Sequence, residues 1–502
     1  GLIRVPRFFK IQEVGRGGAS ARAYVPAVML SRALAVLRLL VVARILGAAG
    51  KGEYGIYQQA LVLVNWLVPL VIFGMGDVAE RYAARFEREG RLGWWVRRHL
   101  RRLALTALLV AGLLLAATPW IRKTIFHLDS PGWALLGTCA AVIGLLAAYQ
   151  YVAALLRGLR AYPAAAAMEV TSAALLLLLS ILAALRGAAV GLIYMYGLSL
   201  ALPLLYWGSL VWRHLQPLRQ PATRDVRLSR FGRWALLRLL LMMTFAFLSV
   251  WGVGHLAARA GWDPRDTQRA QADYAIPYRI AEILAYLAIT AWASTYGVAA
   301  KLAAHGQTRR AYAELFRIGR FGVAGLAFFA AGVVICRGAV AALLPAYAQS
   351  IHTLLPPLLG VFIWYGILAF STTFADLQEK PHRGAWLWGA AVVGQAVVMG
   401  SAGDAFGPRE TVVAASAAGV GMAVLVLAPL VLWRPLRLTA TGVPLGVVAL
   451  AALALFVPGW MVGVIAPVVL LGGLLALQAT GLLLRRSDLR RWRRWRRGAG
   501  WQ

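Results

Sequence analysis

Cysteine and acidic residues are both scarce in this sequence. Its 502 residues include two cysteines, Cys139 and Cys336, each inside an apolar run. We therefore expect neither a disulfide framework nor a cysteine-based metal site. His255 and His352 are isolated, so no metal-ligand spacing is present. The glycine-rich segment 15–18 lacks the Lys-Ser/Thr that completes a phosphate-binding P-loop, so no cofactor or ATP-driven mechanism is expected.

Positive charge and long apolar runs are abundant instead. Lys and Arg number 52 against 19 Asp and Glu, 61% of the residues are hydrophobic, and the mean hydropathy is +0.69. Apolar runs of about 20 residues, the length that crosses a bilayer as a helix, recur along nearly the whole chain. The sequence therefore predicts an all-α polytopic membrane protein. The fourteen predicted spans are 26–46, 55–79, 103–121, 133–156, 164–185, 188–212, 232–257, 271–299, 320–344, 350–376, 384–402, 411–432, 438–457 and 460–484.

Lys and Arg are concentrated at the two termini and in every second connection between spans. The connection at 258–271 is a partial exception, because it carries both arginines and aspartates. Since basic loops stay in the cytoplasm, this alternation places both termini inside and the chain in the inner membrane. The positive charge is then explained by orientation, and we expect no nucleic-acid partner.

The connection at 213–231 is the longest polar one inside the bundle, and six spans lie on either side of it. Two six-helix lobes around a central cavity are typical of repeat-built transporters. We expect the chain to act as a monomer. The tail carries arginines and tryptophans that suit anionic lipid headgroups. The predicted domains are a cytoplasmic segment 1–25, an N-lobe 26–213, a linker 214–231, a C-lobe 232–433, accessory spans 434–484 and the basic tail 485–502.

Several stretches resemble one family of transporters. Arg44-Ile45-Leu46-Gly47, followed by Glu53-Tyr54-Gly55-Ile56-Tyr57, resembles the first loop of polysaccharide exporters. Residues 73–76 with 81–82 resemble the end of the second helix of these exporters, and residues 155–162 resemble the turn after their fourth helix. Residues 274–280 resemble their eighth helix. The chain is thus similar to the O-antigen flippases and polysaccharide exporters of the multidrug/oligosaccharidyl-lipid/polysaccharide superfamily.

This resemblance implies a flippase rather than an enzyme. The implied cargo is a polyprenyl-diphosphate-linked oligosaccharide, such as an O-antigen or another lipopolysaccharide or polysaccharide repeat unit, moved by alternating access. H⁺ or Na⁺ would be the coupling ion, if one is used. Three alternatives stay open. These are a lipid II flippase, a cation-coupled drug antiporter of the same superfamily, and a membrane glycosyltransferase, for which the outer loops are short.

Arginines in the first span are the leading site candidates. At about 1.5 Å rise per residue, Arg38 lies roughly 18 Å into the membrane, near its midplane. A charge at that depth should face protein or a water-filled cavity, and guanidinium forks match phosphate oxygens. Arg32, roughly 9 Å in, can reach the cytoplasmic surface or the cavity. The structural alternative for Arg38 is a hydrogen bond to Asn65, which a folded-back hairpin brings near its depth.

The eighth span adds Arg279, Glu282 and Tyr286, which share one helical face. Arg279 and Glu282 are spaced to pair within the helix, so this face is either a cavity wall with a coupling carboxylate or a self-neutralised pair. Asp77, Glu80 and Arg81, at the cytoplasmic end of the second span, are expected to form a gate or interfacial ion pairs.

Overall fold

The computed structural model describes residues 17–128, 132–159, 161–215, 226–304, 307–378, 380–401, 407–434 and 439–483. Within these ranges every regular element is a helix and no strand occurs, so the predicted all-α class is confirmed. The helices are α1 (Gly17–Ala49), α2 (Lys51–Ile72), α3 (Met75–Arg88), α4 (Leu92–Ala116), α5 (Thr118–Thr124), α6 (Trp133–Gly158), α7 (Tyr162–Ala184), α8 (Ala189–Leu215), α9 (Val226–Arg259), α10 (Pro264–Ala304), α11 (Thr308–Ile335), α12 (Arg337–Leu343), α13 (Ala348–Leu377), α14 (Pro381–Ser401), α15 (Pro408–Met422), α16 (Thr439–Ala451) and α17 (Gly459–Ala479). Short 3₁₀ segments, Pro345–Tyr347 and Ala452–Phe456, and a π-helical continuation of α15, Ala423–Trp433, complete the set.

Twelve of the described helical segments are long and apolar enough to cross a membrane, by length and composition. Each corresponds to one of the fourteen predicted spans. The other two predicted spans, the eighth and the thirteenth, are helical but differ in character. The eighth lies in the 41-residue α10, whose described side chains include Asp273, Arg279 and Glu282. The thirteenth is the shorter apolar helix Gly442–Phe456.

The second predicted span ends earlier than expected. α2 stops at Ile72, because Phe73 and Gly74 both adopt left-handed backbone conformations, with φ of 51° and 70°. This conformation is uncommon for a residue with a side chain. Gly74 also lies against the Gly232 carbonyl, where a Cβ would collide. The chain then turns into the amphipathic α3, so Asp77 lies on this separate helix and not on a span that continues to residue 79.

The helices pack as two groups that meet along α2. Within the first group, α1 packs against α7 and α6 against α8; within the second, α9 packs against α14 and α10 against α13. We call α1–α8 the N-lobe and α9–α15 the C-lobe. Contacts between them involve α2 with α9 and α10, α1 with α10, and α3 with α9. α16 and α17 pack on α11 and α13, as an accessory pair on the C-lobe.

Large apolar side chains cover the outside of the bundle. Leu108 and Leu205 are 72% and 71% exposed, which is the pattern of helices facing lipid. Residues 1–16 of the predicted N-terminal segment, residues 216–225 of the linker and the basic tail lie outside the described residues. The predicted domain boundaries and the lipid contacts of the tail stay predictions.

Candidate substrate site between the lobes

A small cavity lies where α2 of the N-lobe faces α9 and α10 of the C-lobe. Its volume is about 20 Å³, room for roughly one water molecule. The lining residues are Val62, Asn65 and Trp66 from α2, Met243 and Ala246 from α9, and Tyr278, Arg279, Glu282 and Tyr286 from α10. A cavity of this volume cannot hold a large cargo, so cargo binding at this position requires the lobes to separate.

Arg279 is the cation of this cavity, and it links the two lobes. Its Nε donates a hydrogen bond to Gln58 Oε1 on α2 at 2.8 Å, and its Nη1 donates to Glu282 Oε2 at 2.5 Å. Tyr286 donates to the other carboxylate oxygen at 3.4 Å. The predicted helical pairing of Arg279 with Glu282 is present. The pair also faces another helix, because Gln58 is held across the lobe interface.

Arg38 bonds to a tyrosine rather than to Asn65, the residue of the structural alternative. Its Nη1 donates to the Tyr57 hydroxyl at 3.0 Å, whereas Asn65 Nδ2 donates to the Leu61 carbonyl of its own helix at 2.9 Å. The structural alternative for Arg38, a hydrogen bond to Asn65, is therefore wrong. Asn65 lies eight residues beyond Tyr57 on α2, about 12 Å along the helix axis, so the two side chains cannot occupy the same position beside Arg38.

Three guanidinium groups converge around one tyrosine. Tyr196, on α8, lies within electrostatic range of Arg32, Arg38 and Arg279. The Arg32 guanidinium also lies over the ring of Tyr286, 5.0 Å from its centroid. Tyr196 and Gln58 were not identified from the sequence, because a polar residue in an apolar span carries no pattern that reveals its neighbours.

Each of these arginines keeps a buried nitrogen without a hydrogen-bond acceptor. The atoms are Arg32 Nε, Arg38 Nε and Arg279 Nη2. Guanidinium groups only donate hydrogen bonds, and buried donors are normally satisfied. The group contains three cations and one carboxylate, Glu282. This arrangement favours a ligand that is negatively charged and rich in acceptor oxygens, since such a ligand would satisfy both the charge and the donors.

The acidic residues on α3 make contacts at the end of the bundle for which the sequence predicts a cytoplasmic location. Glu80 pairs with Arg157 of α6 at 3.1 Å, within the N-lobe, and Arg157 also reaches Glu169 at 3.7 Å. Asp77 instead lies within electrostatic range of Arg238 of the C-lobe. Burial raises the pKa of Asp77, and the attraction of Arg238 offsets part of this effect. The side chain of Arg81 lies outside the described residues.

An ion-pair group joins the lobes at their opposite end, which we call the outer end after the predicted orientation. Lys51 of α2 pairs with Asp273 of α10 at 2.7 Å, and Arg409 of α15 approaches the same carboxylate at 3.4 Å. Lys51 also lies 5.1 Å from the ring centroid of Tyr347. The sequence did not reveal this group, because Lys51 and Asp273 are 222 residues apart. Among the described residues, no three His, Cys, Asp or Glu side chains are grouped to hold a metal ion.

No family model matches the chain, and no curated protein sequence matches it. Solved structures do match it, at low sequence identity. A MOP superfamily transporter from Pyrococcus furiosus, described by a reversed polarity of its binding pocket that suggests a different function, is 13% identical, with a TM-score of 0.61. The match covers 87% of this chain and 99% of that one.

Two further matches are structures of a multidrug resistance MATE family transporter of the MOP superfamily. The outward-facing structure has a TM-score of 0.57, covering 87% of this chain and 99% of the other. The inward-facing structure has a TM-score of 0.59, covering 84% and 98%. Both are 14% identical to this chain. Because the chain resembles both states about equally, what it shares with them is the fold.

Proposed function

We propose that the chain is a transporter of the cytoplasmic membrane that carries an anionic amphiphile by alternating access. The cargo class is a polyprenyl-diphosphate-linked glycan. The observation that carries this proposal is that Arg32, Arg38 and Arg279 converge at the junction of the lobes and that each keeps one buried nitrogen without an acceptor. The fold likeness to outward- and inward-facing transporters supports the transport part of the proposal.

The contacts of Arg279 suggest how cargo binding moves the lobes. In this closed conformation its Nε is held by Gln58 across the lobe interface. Diphosphate oxygens compete with the Gln58 carbonyl, because charge-assisted hydrogen bonds are shorter and about twice as strong as neutral ones. Once the anion replaces Gln58, this bond between the lobes is lost. A ligand that binds better to the separated state shifts the population toward that state.

Glu282 gives this site a carboxylate that the cargo must displace. Its Oε2 holds Arg279 Nη1, so the carboxylate and a bound anion compete for the N–H groups of one guanidinium. Anion binding leaves Glu282 next to a second negative charge, and like charges at short distance repel. A small cation that binds at Glu282 would relieve this repulsion. We therefore propose Glu282 as the site of a coupling cation.

A cation-coupled drug antiporter is the second candidate. It is favoured by the carboxylate of Glu282 and by two of the solved structures similar to this chain, which are described as structures of a multidrug resistance MATE family transporter. In that case Glu282 would attract the drug, and the three arginines would repel it. The two candidates therefore differ in the sign of the cargo charge.

Reconstitution of the full chain into proteoliposomes tests both candidates. We expect a fluorescent polyprenyl-diphosphate-linked N-acetylglucosamine to be translocated, and bare undecaprenyl diphosphate to compete with it. Tetraphenylphosphonium should not accumulate under a pH gradient. Arg337→Gln, at a partly exposed arginine of α12 that is bonded to the Gly459 carbonyl, serves as the control and should leave transport unchanged. Accumulation of the cation without lipid transport would support the antiporter instead.

A further inference from the structure

A second set of buried polar groups lies nearer the outer end of the lobe interface. Gln59 Oε1, His127 Nε2, Thr267 Oγ1 and both polar atoms of the Gln271 side chain have no hydrogen-bond partner. Gln59 and Gln271 are fully buried, and Thr267 is 1% exposed. Buried polar atoms are nearly always satisfied, and each one left alone costs folding free energy. A cluster of them points to a ligand that satisfies them in another conformation.

These groups border one stretch of α9. A Cβ at Gly254 would collide with the Gln271 carboxamide and would lie 3.3 Å from His127 Nε2. Gln59 Nε2 donates to the Val250 carbonyl at 3.0 Å, one turn before Gly254 on the same helix. Thr267 lies one turn before Gln271 on α10. We call Gln59, His127, Gly254, Thr267 and Gln271 the outer polar patch.

The patch is held in place and is uncharged. His127 has a left-handed backbone, with φ of 49°, and its carbonyl accepts a hydrogen bond from Gln268 Nε2 at 3.2 Å. Burial, with a smaller contribution from His255, lowers the pKa of His127, so its imidazole is neutral at pH 7. The patch thus offers two amides, a hydroxyl and a neutral imidazole, which together donate and accept hydrogen bonds.

A stripe of stacked rings connects the patch with the central cavity. Trp66 lines the cavity and stacks on Phe247 at 5.0 Å between ring centroids. Phe247 stacks on Trp251 at 6.0 Å, and Trp251 stacks on His255 at 4.6 Å. We call these four residues the aromatic stripe. It runs along α9 from the guanidinium groups toward the outer polar patch.

We propose that the outer polar patch and the aromatic stripe bind the saccharide of the cargo, a neutral polyhydroxylated ligand, while the guanidinium groups bind its diphosphate. This inference rests on the proposed function. Sugar hydroxyls both donate and accept hydrogen bonds, and the C–H faces of sugar rings pack on aromatic rings. Gln59 and His127 belong to the N-lobe, and Gly254, Thr267 and Gln271 to the C-lobe. Separation of the outer ends of the lobes would therefore open the patch to the saccharide.

A comparison of two lipids tests whether the saccharide and the diphosphate of the cargo bind at these separate sites. Full-length protein in nanodiscs is titrated with undecaprenyl diphosphate and with undecaprenyl-diphosphate-N-acetylglucosamine. We expect the saccharide to tighten wild-type binding by about tenfold, the gain from one or two added neutral hydrogen bonds. Gln271→Leu should bring the ratio of the dissociation constants for the bare lipid and the saccharide-bearing lipid close to one, without changing the affinity for the bare lipid. Thr267→Val, which nearly keeps the side-chain shape, should lower the ratio in the same direction.

Gln395→Leu is the matched control, because Gln395 is a buried glutamine of the C-lobe that bonds to Ser249 and Ser416. It should leave the ratio unchanged. An unchanged ratio in both Gln271→Leu and Thr267→Val overturns the inference. If the wild type binds neither lipid, the proposed function fails, and binding of free chitotriose, measured by saturation-transfer NMR, decides the patch separately. Chitotriose binding that Gln271→Leu abolishes supports the patch, whereas no binding to the wild type overturns it.

Discussion

Removal of the Arg279 cation is the most direct test of the charge of the cargo. A single Arg279 substitution would leave the Glu282 carboxylate buried without its partner, which costs about 3–5 kcal/mol of folding free energy. A loss of binding could then not be distinguished from a loss of folded protein. The informative comparison is between Glu282→Gln and the double variant Arg279→Gln/Glu282→Gln. Both proteins are neutral at position 282, so they differ only in the guanidinium.

The size of the effect follows from the contacts. Arg279 has one nitrogen without an acceptor, and a second bonded only to the neutral Gln58 amide. A charge-assisted hydrogen bond to phosphate contributes about 1.5–3 kcal/mol. Loss of the guanidinium should therefore weaken binding of undecaprenyl diphosphate about 10- to 150-fold in the double variant relative to Glu282→Gln.

Equilibrium binding in nanodiscs measures this difference, with tetraphenylphosphonium titrated in parallel. The cation should respond in the opposite direction, because Arg279 repels it. Arg337→Gln removes a partly exposed arginine that does not line the cavity and should bind the lipid as the wild type does. Equal lipid affinity in Glu282→Gln and the double variant would refute the reasoning. So would tighter binding of the cation without any loss of lipid binding.

Three further predictions concern the lobe interface and its stability. Asp273→Asn removes the partly buried ion pair with Lys51, which contributes about 1 kcal/mol. It should therefore increase the outward-open population about fivefold. Spin-label distances across the outer ends of the lobes measure this population. Gly74→Ala should lower the unfolding temperature, since the left-handed backbone alone costs about 1–2 kcal/mol for a residue with a Cβ and the Cβ would also collide with a carbonyl. Asp77→Asn should raise the unfolding temperature at pH 7. The pKa of the partly buried Asp77 carboxyl is raised in the folded state, so its ionisation destabilises the folded state as pH rises above the pKa of the unfolded chain. The gain from Asp77→Asn should therefore vanish toward pH 4.

Each of these predictions has its control or contrary outcome. Asp266→Asn removes an exposed pair with Arg269 and should not shift the lobe populations. Gly112→Ala adds a Cβ that meets no atom within 4 Å and should be neutral or stabilising, because alanine is the better helix former. A loss of stability in Asp77→Asn at pH 7 that shrinks in acid would mean that the attraction of Arg238 outweighs burial.

Much of the fold could be predicted from the sequence. The twelve long apolar helices of the described residues lie at predicted spans. Each crossing of a bilayer requires about 20 apolar residues, and runs of this length are recognisable in the sequence. The pairing of Arg279 with Glu282 was also predictable, since residues three apart on one helix are always neighbours. The end of the second span was not, because no sequence pattern reveals the left-handed backbone of Phe73 and Gly74 or the close approach of Gly232 to Gly74.

The presence of arginines inside an apolar bundle could be inferred from the amino-acid sequence, because each helix and its polar residues are encoded locally. The partners of these arginines became evident only from the packing of the helices. This packing paired Arg38 with Tyr57, linked Arg279 to Gln58, and brought His127 and Gln271 together at Gly254. The physical reason is that these contacts depend on the depth and rotation of whole helices. Packing among several helices sets both quantities, and the order of residues along any one helix does not.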